Sequence, residues 1–153
     1  MDIKKTTTIN FNSNFKLTGL YNNYATYYID WSAILDDNKK YILTWTYDAQ
    51  QQATNAFTNL TKLASVNINI FANDYNASTY GAGITQNIGS LKPDNNALYA
   101  DTSVNMPLFL HSRPLDNNVN IQILTNDNPA VAWTDALAAV PNNYILTINF
   151  TEL

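Results

Sequence analysis

The sequence predicts an all-β chain: an eight-stranded antiparallel jelly-roll sandwich with one or two short helices in its connections. Three observations lead there. Several segments alternate apolar and polar residues with period 2, the pattern of a strand with one buried face. Clusters of Asp, Asn, Pro and Gly separate them at regular spacing, as turn chemistry requires. About eight short strands so punctuated suit two four-stranded sheets, with the first and last strands as neighbours in one of them.

Taken in order, residues 6–13 (TTTINFNS) alternate around Thr7, Ile9 and Phe11 and are rich in β-branched side chains. Residues 15–23 carry Gly19 and two Asn and read as a connection. Residues 24–35 (YATYYIDWSAIL) set Tyr27, Ile29, Trp31 and Ala33 against Thr26, Tyr28, Asp30 and Ser32. After Asp36-Asp37-Asn38, residues 39–48 set Tyr41, Leu43, Trp45 and Tyr47 against Ile42, Thr44 and Thr46. Two strands about a short Asp/Asn loop predict a hairpin. In residues 49–64, Ala49, Ala53, Ala56, Phe57, Leu60, Leu63 and Ala64 recur at helical spacing behind a possible Asp48 N-cap, which predicts an amphipathic helix.

Residues 65–73 return to alternation, with Val66, Ile68 and Ile70 expected inside and Asn67 and Asn69 outside. Residues 74–83 are a loop, 84–91 a weaker strand interrupted by Gly89, and Lys92-Pro93-Asp94-Asn95 a turn. Residues 97–101 lead to a second expected hairpin: Leu108–His111 as one strand, Pro114 to Asn117 as the turn, and Val119, Ile121 and Ile123 as the buried face of the next strand. A helical turn over 136–140, closed by Pro141, and a terminal strand over 143–153 complete the reading.

A chain of 153 residues suits one domain, 1–153. It has no cysteine, so disulfides and thiolate metal sites are ruled out. An apolar segment behind Lys4-Lys5 is missing, so no signal peptide is expected, and no apolar run is long enough for a membrane span. Charged residues make up 13%, against about 25% in ordinary domains. Asn alone fills 24 positions and the net charge is −4, with Lys4-Lys5 and Lys39-Lys40 the only paired cations. No basic stripe is visible along the chain, so nucleic acid is not expected as a partner. Such a surface fits a protein that buries area in an assembly, or one that binds sugar; it also fits an A/T-rich coding sequence.

The candidate chemistry lacks partners. His111 is the only imidazole, too few for a His-based metal site, and no G-x-S-x-G elbow supports a Ser–His relay through Ser112. Arg113, the only Arg, stands before Pro114 and has three open readings: a structural pair within the chain, an intersubunit clamp, or a ligand contact. Asp101 and Asp116 are its nearest carboxylates in sequence, and Tyr99 lies beside Asp101. The only Glu is Glu152, and the Asp36-Asp37 pair lies in a turn, so the two poised carboxyls of a glycosidase are not in evidence. Tyr75, Tyr80 and Trp133 could form an exposed platform on which a sugar stacks. No cofactor or metal is expected.

The run LYADTSVNMPLFLHSRPLDNNVNIQIL, followed by YILTINF, resembles the small single-jelly-roll virion proteins of large and giant DNA viruses. The likeness rests on Asn105 with Pro107, Arg113-Pro114 with Asn117-Asn118, Asn120 to Leu124, and Tyr144 to Phe150, about the last third of the chain. It implies a non-enzymatic capsid component, either a penton, a minor capsid protein or a vertex or fibre subunit. Such a component would be made in the host cytoplasm, reside in the virion, and act as a trimer or pentamer with other capsid proteins. A carbohydrate-binding sandwich that meets host glycans is the alternative.

Overall fold

The computed structural model describes residues 4–19, 24–49, 64–70, 86–94, 97–100, 107–125 and 143–153. Its first sheet is built on the terminal strand β9 (Tyr144–Glu152). On one side β9 pairs antiparallel with β1 (Thr6–Asn12), from Thr6–Thr151 to Asn12–Ile145. On the other it pairs along its whole length with β3 (Tyr41–Ala49). The short β7 (Leu108–Leu110) continues the sheet beyond β3, with Leu110 opposite Tyr41. The first and last strands are thus neighbours, as expected.

The second sheet runs in the order β2 (Tyr24–Tyr28), β8 (Asn118–Thr125), β4 (Ala64–Ile68) and β5 (Gln86–Asp94). Together these make two antiparallel sheets of four in jelly-roll order, the fold class the sequence predicts. A ninth strand, β6 (Ala97–Ala100), folds back on β5 and touches β3 at the single pair Asp48–Tyr99, joining the two layers into one hydrogen-bonded path.

Period-2 patterning fills the space between the sheets. From the first come Ile9, Phe11, Tyr41, Leu43, Trp45, Tyr47, Leu110, Tyr144, Leu146, Ile148 and Phe150; from the second come Ala25, Tyr27, Val66, Ile68, Ile88, Leu91, Val119, Ile121 and Ile123. Burying one such aliphatic side chain contributes roughly 1.5–3 kcal/mol before the entropy of ordering is set against it.

Several expectations are corrected. Residues 24–35 are not one strand: β2 stops at Tyr28 and a single helical turn, α1 (Trp31–Ile34), follows. Ala25, Tyr27, Trp31 and Leu35 are the residues of that segment in the core, so burial has period 2 within β2 and then skips to every fourth residue through the helical turn. Nor does β2 form a hairpin with β3, because the two lie in opposite sheets. The second expected hairpin fails likewise: β7 pairs with β3, and β8 with β2 and β4. Residues 111–117 therefore cross from one layer to the other, about 10 Å in packed sheets.

Lys92, Pro93 and Asp94 belong to β5 rather than to a turn. Pro93 lies two residues beyond Leu91, the last β5 position that pairs with β4 among the described residues. The pairing of β4 with β5 slips between Val66 and Asn67, next to Gly89, where the sequence suggested an interruption. Asn67 is fully buried rather than exposed. Of the helix expected over 49–64, Ala49 closes β3 and Ala64 opens β4. The rest of it, and the turn expected at 136–140, lie outside the described residues.

Candidate functional site

Among the described residues, three places combine polar groups with aromatic rings. The first is the end of the sandwich closed by the 111–117 crossover. There Trp31 is 1% exposed. Its ring meets Phe150 edge-on at 5.8 Å, and its indole N–H donates to the Asp116 carbonyl at 3.0 Å. The Trp31 and Ile29 main-chain N–H groups donate to Asn117, at its Oδ1 (3.4 Å) and its carbonyl (2.9 Å). Asp116 Oδ1 accepts from the Asn118 N–H at 2.9 Å, the local bond expected of Asp in a turn.

Arg113 is half-buried in this crossover and donates from Nη1 to the Leu35 carbonyl at 3.2 Å. Its partner is a main-chain oxygen, so of the three readings the within-chain one has a contact, though not with the carboxylate of Asp116. Pro114 beside it is buried, and His111 is exposed. Leu35 thus sits between α1 and β3 with its side chain in the core and its carbonyl held by Arg113.

The second place is inside the other end. Tyr27 OH donates to Tyr144 OH at 3.1 Å, Tyr144 stacks on Tyr47 at 5.5 Å, and Phe11 meets Tyr27 edge-on at 5.3 Å. Burial pushes the Tyr27 phenol up to about 12, and pushes Tyr47 and Tyr144 well above the ordinary value. Tyr47 OH has no hydrogen-bond partner among the described residues. Three phenols kept neutral between two sheets serve packing.

The third is a shallow groove of about 190 Å³ on the outer face of the second sheet, lined by Tyr24, Ala25, Thr26, Asn120, Ile121 and Gln122. Thr26 Oγ1 donates to Asn120 Oδ1 across it at 2.8 Å. Burial raises the Tyr24 phenol. One aromatic ring beside hydroxyl and amide groups is the chemistry that contacts sugars.

Of the residues expected at a site, Arg113 and Pro114 fall in the crossover. Tyr99 lies on β6 opposite Asp48 and Lys92, away from Arg113 along the β3 edge. Asp101, Tyr75, Tyr80 and Trp133 lie outside the described residues. Sequence reasoning missed Trp31 as the anchor of the crossover; its signal was the spacing of Tyr27, Trp31 and Leu35. It also missed the groove, whose residues come from two strands 94 positions apart at Thr26 and Asn120. Among the described residues, no group of three or more His, Cys, Asp or Glu could hold a metal ion, and no helix is long and apolar enough to cross a membrane.

Fold and site together define the class: an all-β jelly-roll sandwich with a closed, hydrogen-bonded end. No protein-family model matches the chain, and no curated protein matches it.

Proposed function

We propose that the chain is a non-enzymatic structural virion protein, a single-jelly-roll capsid component that acts through oligomeric assembly. The observation that carries this reading is the outer face of the first sheet. Along β1, β9 and β3 that face presents Thr6, Thr8, Asn10, Thr147, Asn149, Thr151, Thr44 and Thr46, a polar field whose one charge within these strands is Asp48, near the end of β3. Its side chains are already tied crosswise: Thr6 Oγ1 to Thr151 Oγ1 at 3.0 Å, Thr8 Oγ1 donating to Asn149 Oδ1 at 2.7 Å, and Thr147 Oγ1 donating to Asn10 Oδ1 at 2.8 Å. A pre-ordered face with a single charge at its margin loses little entropy on docking, and charge depletion is the mark of interface cores. Phe15 at 80% exposure and Leu17 at 61% add apolar area beside β2. The resemblance of the last third of the chain to small virion proteins points the same way, and implies a trimer or pentamer with other capsid proteins in the virion. Light scattering across a wide concentration range should find that oligomer; monomer throughout, with no copy of the chain in purified particles, sinks the proposal.

A second reading, a carbohydrate-binding module for host attachment, is favoured by the groove of Tyr24, Thr26, Asn120 and Gln122. A glycan array blank for the native chain would count against it.

A further inference from the structure

The cations that look scattered along the chain meet at one rim of the first sheet. Because β1 and β3 are both antiparallel to β9, they run parallel to each other and begin at the same end. Lys4-Lys5 immediately precede β1 and Lys39-Lys40 immediately precede β3, so the two pairs are brought to one level on either side of the end of β9. Main-chain bonds fix their level: Glu152 N–H donates to the Lys5 carbonyl and Leu153 N–H to the Lys40 carbonyl, both at 3.0 Å. With Leu110 opposite Tyr41, His111 follows at the level of Lys40, and Arg113 two residues on reaches Leu35. Five of the chain's eight Lys and Arg, with its only His, therefore line one end of a four-strand sheet. At about 4.8 Å per strand, that rim is roughly 15 Å wide. Lys4, Lys5, Lys39, Lys40 and His111 are exposed, and none of the four lysines or Arg113 is in an ion pair among the described residues.

We propose that this rim binds a linear sulfated polysaccharide. Four of its five permanent cations are lysines, point charges on long stems that suit sulfates placed along a polymer rather than one bidentate anion. Asp36, Asp37 and Glu152 are interleaved with them, and Asn38 and Ser112 stand alongside. Interleaved carboxylates oppose duplex DNA, which carries a charge about every 1.7 Å and would lie against all of them. They tolerate a sparser polyanion whose hydroxyls bond the Asn and Ser side chains. The proposal deepens the carbohydrate reading, at a place separate from the groove, and does not depend on the assembly reading.

The test is calorimetric titration of the full chain with a heparin oligosaccharide at physiological ionic strength, beside its desulfated form and single- and double-stranded DNA. Heparin should bind, the desulfated form should not, and DNA should bind more weakly. Lys4→Ala/Lys5→Ala and Lys39→Ala/Lys40→Ala should each weaken heparin about thirtyfold, the size expected for two lysines leaving an anionic surface. Lys16→Ala, beyond the opposite end of β1, should leave binding unchanged. No heparin binding, unaltered binding by both lysine-pair variants, or tighter binding to DNA overturns the proposal. Equal binding of the desulfated form overturns it too while leaving the carbohydrate reading standing.

Discussion

Trp31 and Asp116 stand 85 positions apart in the chain, and the indole N–H of the first donates to the main-chain carbonyl of the second at 3.0 Å. That bond fastens the crossover between the sheets onto the helical turn that follows β2. It makes the closed end a joint between distant segments rather than a local turn.

Trp31→Phe should keep most of the contact with Phe150 but lose the bond, at a cost of about 1 kcal/mol, while Trp31→Ala should cost about 3–5 kcal/mol through the cavity it opens. Urea unfolding of both variants checks this; equal losses would mean that packing alone holds the crossover.

Arg113→Ala removes the donor to the Leu35 carbonyl and should lower stability by about 1 kcal/mol, with Arg113→Lys retaining part of it. Thermal unfolding with measurement of oligomeric state separates a folding effect from an assembly effect. If neither changes, Arg113 is not a clamp of either kind.

The buried phenols predict an opposite pair of outcomes. Tyr47→Phe removes a buried hydroxyl with no partner among the described residues and should stabilise the fold, by roughly 0.5–2 kcal/mol. Tyr27→Phe removes the donor to Tyr144 and should destabilise it by about 1 kcal/mol. Denaturant melts that moved in the same direction would contradict this account of the cluster.

The same phenols set an alkaline limit. Unfolded, they ionise near 10; folded, Tyr27 ionises only at about 12, and burial holds Tyr47 and Tyr144 well above their ordinary value too. Between those values the folded chain holds more protons, so stability present in full below pH 10 falls as pH rises through about 12. Tyrosinate absorbance should show these three phenols titrating together with loss of the fold; titration in the intact fold at pH 10 would refute it.

Much of the fold was legible because burial follows period 2 without interruption in β3, β8 and β9. There Tyr41, Leu43, Trp45 and Tyr47, or Tyr144, Leu146, Ile148 and Phe150, can face only one way. Pairing was not legible. Alternation states which face is buried but not which strand lies alongside, and Asp/Asn loops serve a crossover between sheets as readily as a hairpin. Hence both expected hairpins opened into inter-sheet connections. Asn67 was misplaced because the polar set of β4 lies next to a slip in pairing and is itself covered, which a one-sided pattern cannot encode. The basic rim was within reach: jelly-roll order makes β1 and β3 start at one end, and that alone brings the two lysine pairs together.

The central claim is assembly through the Thr/Asn-rich outer face of the first sheet, and native mass spectrometry of the chain beside its Thr8→Lys/Thr44→Lys variant tests it most directly. Both substitutions fall on that outer face, where surface changes leave stability within about 0.5 kcal/mol. The native chain should appear as a trimer or pentamer of its 17.2 kDa subunit, and the variant as a folded monomer. A native chain that is monomeric, or a variant that keeps the oligomer intact, would contradict it.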